Sequence, residues 1–238
     1  RDDLVTGVQT CALPIWSMCY HTPTQGLHFF DWPIPFMNPL SISLPTALLL
    51  PLFAFAGSKS FDFKDPKGVN TIIFQMDALL ESINGSGAGI SGSVEFDPEE
   101  PSQTSGVILL DASSLRVDNP VLQEHMHGEE WLNVGQFPSI EFSFSQLSDV
   151  KRSGRELSAM AEGKMTIRNT TIKMKVPVRI SYLQGMLEKR NKTPGDLLVV
   201  RSQFNVSRED FGIRSGEHLD KVANQIDISL NLAGAAPY

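Results

Sequence analysis

The chain is 238 residues long and 41% apolar, with a formal net charge of −7 and two cysteines. An acidic chain without a basic patch disfavours nucleic acid, because a phosphate backbone selects clustered Lys and Arg. Cys11 and Cys19 both lie near the N-terminus, so the body of the chain has no thiol for catalysis, a disulfide or a zinc–thiolate site.

Residues 1–36 show no structural period. Their apolar residues, including Val5, Val8, Cys11, Leu13 and Trp16, follow neither a 3.6 nor a 2.0 spacing. Pro33, Pro35 and Pro39 then block both helix and central strand. The run Val5–Ile15 resembles the in-frame translation of a sequencing adapter. Residues 1–36 are therefore expected to be an assembly artefact, unpacked and with both cysteines unpaired; the rival is a disordered natural extension.

Residues 37–56 carry a different signal. Ile42–Ala56 is fifteen residues without a charge. That is short of the ~20 needed to span a bilayer but fits the apolar core of a signal peptide. Met37 is the natural start of this unit and Ala54-Phe55-Ala56 supplies a small-x-small cleavage pattern. Met37–Ser41 has no Lys or Arg, which keeps an uncleaved anchor as the alternative. The expectation is a periplasmic or secreted protein, mature from Gly57. Arg1 against Asp2, Asp3 and Asp31 accounts for −2 of the −7, leaving −5 on residues 57–238.

From Gly57 onward the dominant period is two. Phe61 and Phe63 share a face, as do Ile72, Phe74 and Met76. Ile140, Phe142 and Phe144 alternate with Glu141 and Ser143. Met174, Val176, Val178 and Ile180 alternate with Lys173, Lys175, Pro177 and Arg179, and Ile226, Ile228, Leu230 and Leu232 repeat the device. Such half-apolar strands bury their faces only by pairing around one core. Gly85, Gly87, Gly89 and Gly92 suggest bulges or tight bends in a curved sheet. One helix is expected after the cap Asn119 and Pro120, stopped by Gly128, and a short turn at Ser207–Ile213. The basic run Lys189–Lys192 reads as a solvated loop. These elements predict an all-β fold, an antiparallel β-barrel of about eight strands with one short helix.

At "LQEHMHGEEWLNVGQFPSIEFSF" the chain resembles the YceI-like family. The residues that carry the resemblance are His125, Met126, Trp131, Asn133, Val134, Phe137 and Pro138, with "NVSREDFGI" at Asn205–Ile213, "SGSVEFDP" and "DASSL". It covers about Phe61 to Leu232. Leu122-Gln123 and the stretch Arg168–Val176 depart from the family pattern. The resemblance implies a lipocalin-like periplasmic barrel that binds polyisoprenoid lipid. The occupant it implies is a polyisoprenoid or isoprenoid quinone. The partners expected with it are a long-chain isoprenoid lipid, the membrane periphery and a second copy of the chain, with no nucleic acid.

The candidate chemistry is sparse. His125 and His127 stand two apart on a helix, so they point about 200° from each other and cannot share a metal ion. Val121, Leu122, His125 and Met126 share a face, which places His125 under the barrel and His127 in solvent. No Gly-x-Ser-x-Gly occurs, and the chain reads as non-catalytic; an enzyme would need a cleft that gathers His218 with a carboxylate. Arg208 is expected either to lock its turn through Asp210 or to stand at the barrel mouth. The candidate ligand-binding residues are Phe61, Phe63, Phe74, Leu109, His125, Phe142, Phe144, Ile180, Phe204 and Arg208. An eight-stranded barrel is wide enough either to hold one slender ligand or to fill with side chains, the second case leaving an interaction or adaptor role for a membrane redox or stress-response system.

Overall fold

The computed structural model describes residues 57–238. The expectations for residues 1–36 and 37–56, and for Cys11 and Cys19, concern residues outside that range.

In chain order the elements begin with β1 (Lys59–Asp62), β2 (Thr71–Asp77), β3 (Ser82–Gly87), β4 (Ile90–Phe96), β5 (Ser105–Asp111) and β6 (Arg116–Val117). Helix α1 (Pro120–His127) follows, then β7 (Ser139–Ser153), β8 (Glu156–Ile167) and β9 (Thr170–Leu183). Helix α2 (Leu187–Asn191), β10 (Gly195–Ser207) and β11 (Gln225–Pro237) complete the chain. All pairings are antiparallel, and from β7 to β11 each strand pairs with the next.

The strands make a closed barrel of eight staves. The first three are each broken in two: β1 with β2, β3 with β4, and β5 with β6. β1 pairs with β4 while β2 pairs with β3, so the first two broken staves run side by side. Ring closure comes from β11, which meets β1 at Asp62–Ala235 and β2 from Asp227–Gln75 to Asn231–Thr71. The break after β1 is held by Asp65, whose carboxylate accepts from the backbone N–H groups of Lys67, Val69 and Asn70. Asn70 in turn ties to the Ala233 main chain of β11 in both directions.

The expected alternation is present. Ile140, Phe142 and Phe144 face inward from β7, and Ile226, Ile228, Leu230 and Leu232 from β11. Phe137-Pro138 leads straight into β7. The glycines act differently from expectation. Gly92 alone of the four has a positive φ (117°). Gly85 instead makes room: a Cβ there would lie 2.1 Å from the Phe74 ring.

Helix α1 forms as expected. The Asn119 side chain accepts from the Val121 and Leu122 N–H groups, and the Gly128 N–H closes the other end on Glu124 and His125. The basic run Lys189–Lys192 is not simply a loop. It belongs to α2, a second helix, anchored by the buried Leu187 and ended by Lys192 in the left-handed region (φ 59°). Arg190 of α2 reaches Asp65 at 2.9 Å, which joins it to the β1–β2 break. Glu188 early and Lys189 and Arg190 late in the helix suit its dipole.

Candidate functional site

The barrel is hollow. A cavity of about 820 Å³ occupies its interior, within the range of pockets that enclose a whole small molecule. Its wall is made by inward-facing residues of every strand from β2 to β11, and is almost entirely aliphatic and aromatic. Two hydroxyls in the wall are already used. Ser202 donates to the Pro177 carbonyl at 2.5 Å and Thr104 to the Pro101 carbonyl at 2.6 Å. The wall therefore favours an apolar chain, because a polar one would lose its hydration there without replacement.

One end is sealed by aromatic rings. Phe61 packs edge-on to Phe96 (6.4 Å between centroids) and to Tyr182 (6.2 Å), and Phe96 meets Tyr182 at 5.8 Å. On their far side lies a small pocket of about 160 Å³, open toward the β7–β8 turn and lined by Phe96, Leu157, Ile180 and Tyr182 with the exposed Arg152, Gly154 and Arg155. The layers follow from the pleat. Along β4, Val94 faces the large cavity and Phe96 the small pocket; along β9, Val178 faces the large one, Ile180 both, and Tyr182 the small one. β8 keeps the same order with Ala161 and Leu157.

A buried polar knot braces this end. Asp196 is fully buried and accepts from Lys59 (2.5 Å), Tyr182 (2.8 Å) and the Gly185 N–H (2.7 Å). Burial alone would raise its carboxyl, but these hydrogen bonds outweigh burial and hold it below the ordinary value. The bonds to Asp196 and then Tyr182 push the Lys59 ammonium up to about 12.

The other end is the mouth, where exposed lining residues collect: Glu81, Glu129, Glu130, His218 and Lys221. Helix α1 and the loop after it supply one side, and the segment between β10 and β11 the other. Trp131 lies between them, with the guanidinium of Arg208 5.6 Å and that of Arg214 5.9 Å from its ring. Arg214 bridges to Glu130 at 2.6 Å and donates to His218 Nε2 at 2.7 Å. Asn133, in the left-handed region (φ 48°), turns the chain from Trp131 toward β7, a conformation Asn tolerates.

Arg208 organises the far side of the mouth. Its five N–H groups meet five main-chain carbonyls, those of Ile213, Arg214, Glu217, Val222 and Ala223. Five donors with five acceptors is complete satisfaction. Burial draws the guanidinium below its usual range. The expected ion pair with Asp210 does not form; Asp210 is exposed, and the turn is locked through carbonyls instead.

Of the candidate ligand-binding residues, Phe63, Phe74, Phe142, Phe144, Ile180 and Phe204 line the cavity, with His125 and Arg208 at the mouth. Phe61 does not: it is buried in the aromatic seal beyond the cavity wall. Leu109 points outward, and its neighbours Ile108 and Leu110 line the cavity. The two histidines exchange their expected settings. His125 is the more exposed, at the rim, whereas His127 is half-buried with Nε2 2.9 Å from the Leu115 carbonyl. His218 meets Arg214 rather than a carboxylate. Among the described residues no three His, Cys, Asp or Glu side chains gather as a metal site. The seal residues Phe96 and Tyr182, and the Arg214–Glu130 bridge, were not legible as site residues, since each pair comes from strands or loops distant in sequence.

The geometry has relatives. A UPF0312 protein of Yersinia pestis (strain Pestoides F) is 24% identical over 188 residues, covering 77% of this chain and 91% of the relative. The crystal structure of Burkholderia cenocepacia BcnA shares the fold at a TM-score of 0.56 and 19% identity, over 69% of this chain and 95% of that one. A polyisoprenoid binding domain from Saccharophagus degradans, implicated in plant cell wall breakdown, superposes at a TM-score of 0.54 and 8% identity, over 76% of this chain and 99% of that one. The model of the YceI-like domain matches residues 65–233, the barrel from the Asp65 turn to the closing strand, and the chain belongs to the YceI-like family.

Proposed function

We propose that this protein binds and carries a long apolar lipid of the polyisoprenoid type, with the tail in the cavity and the head group at the mouth. The observation that carries the reading is the cavity wall: some 820 Å³ of aliphatic and aromatic lining whose hydroxyls are already bonded to carbonyls. Burial of a CH₂-sized group contributes about 0.8 kcal/mol, so each five-carbon isoprene unit offers about 3–4 kcal/mol before ordering costs. Affinity then comes from length and slimness rather than from hydrogen bonds. The polyisoprenoid-binding relative supports the tail chemistry. An isoprenoid quinone has the same tail and falls within the proposal. No catalytic step is assigned to the chain.

The decisive experiment is native mass spectrometry and organic extraction of the protein from its own host, followed by titration with prenols of increasing length. Co-purifying prenyl lipid, and affinity that climbs with length to a plateau, is the expected result. Flat, weak binding at every length rejects the carrier and favours a surface adaptor. The uncharged run Ile42–Ala56 supports export to the periplasm or beyond. A fractionated host culture tests this, and protein confined to the cytoplasm would reject it.

A further inference from the structure

One edge of the cavity mouth carries three exposed leucines. Leu79 is 87% exposed, Leu80 63% and Leu219 48%. Leu79 and Leu80 form the apex of the β2–β3 hairpin, inside a turn closed by the Ala78 N–H on the Glu81 carbonyl at 2.9 Å. Apex positions ordinarily take Gly, Asn or Asp, whose backbone or side chain suits a turn. The Leu80 N–H donates to the Asp220 carbonyl at 2.8 Å, which ties this apex to the segment carrying Leu219. Residues on either side of the leucines, Met76 and Glu81 on one segment and His218 and Lys221 on the other, line the cavity. The exposed apolar patch and the opening are thus continuous.

We propose that this rim is a docking surface for a phospholipid bilayer, into which Leu79, Leu80 and Leu219 insert so that the cavity opens directly onto the acyl layer. Single exposed leucines are ordinary on soluble proteins; three joined at the edge of an apolar cavity are a patch with a direction. Charge selects the kind of surface. Across 77–81 and 217–222, Asp77, Glu81, Glu217 and Asp220 stand against Lys221, so electrostatic capture by anionic lipid is disfavoured. Docking is apolar, suits zwitterionic phospholipid and is insensitive to salt. Among the described residues no helix is long and apolar enough to cross a membrane. The biological purpose of the contact rests on the lipid-carrier reading, and the experiment separates the two.

Hydrogen–deuterium exchange of the full chain is followed with and without phosphatidylethanolamine–phosphatidylcholine vesicles, at low and high salt. Peptide resolution distinguishes the rim from anything contributed by residues 37–56. Protection confined to 77–82 and 217–222 and unchanged by salt is the expected result. The triple variant Leu79→Ser, Leu80→Ser, Leu219→Ser loses that protection and extracts a fluorescent prenol from vesicles at least about tenfold more slowly. Its affinity for a short soluble prenol stays unchanged, because none of the three leucines lines the cavity. No rim protection in the wild type, or protection that needs anionic lipid and disappears in salt, overturns the proposal. A dimer in sedimentation that the triple variant dissolves, without rim protection on vesicles, assigns the rim to a second copy and also overturns it. Rim protection without prenol binding rejects the carrier reading and leaves the docking surface standing.

Discussion

The rings of Phe96 and Tyr182, from strands far apart in sequence, lie 5.8 Å apart and, with Phe61, separate the large cavity from the small pocket beside the β7–β8 turn. Ile180 borders both, so the division is one layer of side chains thick. On the lipid-carrier reading, that layer sets the longest tail the barrel accepts.

Removing a ring should therefore lengthen the tail that fits. Phe96→Ala is expected to move the plateau of a prenol series to longer chains by joining the 160 Å³ pocket to the cavity. It should also lower stability by about 3–5 kcal/mol. Ala161→Phe, which fills the main cavity from β8, is expected to shift the plateau to shorter chains. Isothermal titration with the prenol series reads both changes; identical plateaux would show that the aromatic layer does not limit length.

Phe142→Glu tests the register of β7. Phe142 stacks on Phe144 at 5.9 Å inside the cavity, so the substitution places a carboxylate among apolar neighbours. A destabilisation of at least about 3 kcal/mol, or loss of prenol uptake in a folded barrel, is expected. Urea denaturation with prenol titration is the check, and unchanged melting and binding would contradict the inward placement.

The sequence was most readable where one face of a strand is polar. β7, β9 and β11 alternate apolar with charged or small polar residues, and their inward sets could be named in advance. β5 cannot be phased from sequence: Val107, Ile108, Leu109 and Leu110 are all apolar, so Leu109 reads as inward while Ile108 and Leu110 hold that face. β8 was concealed for the opposite reason, because Ala159, Ala161 and Gly163 carry too little side chain to mark a period. In β10, Leu198 and Val200 face the cavity while Leu197 is buried on the outer face, where α2 packs against the strand. Burial on both faces erases alternation. The site was legible as an apolar interior. Its seal and its mouth were not, since ring–ring and arginine–carbonyl contacts between distant strands leave no local spacing.

Arg208 should resist conservative replacement. Lys supplies three donors from one point and cannot reach the five carbonyls that the guanidinium satisfies. Arg208→Met is expected to destabilise by about 3–5 kcal/mol, and Arg208→Lys to recover less than half of that. Amide exchange in 213–224 should accelerate in both variants, because the carbonyls lose their common tether. Exchange as slow as in the wild type would show that the loop holds itself.

The pH dependence of stability should carry the signature of Asp196. Its carboxyl is depressed in the fold, so its contribution is present above the ordinary value of 3.8 and is lost as pH falls through the lower folded value. Lys59 is raised to about 12, so its contribution is complete below 10.5 and is lost as pH climbs through 12. Asp196→Asn should cost about 2–3 kcal/mol at neutral pH and flatten both limbs of the profile. Denaturation midpoints measured from pH 2 to 12 provide the test. An acid limb as steep as in the wild type would place the responsible carboxylates elsewhere.

Closure of the ring by the last strand has a temporal consequence. β11 pairs with β10 on one side and with β1 and β2 on the other, so Asp62 waits for Ala235. During synthesis a chain complete to Asn224 has two unpaired sheet edges and an apolar interior open along its length, the condition most prone to edge-to-edge association. Contacts between partners this distant also form slowly. The edges of β10 and of β1–β2 stay unpaired until the thirteen residues of β11 arrive. No partial product encloses the cavity.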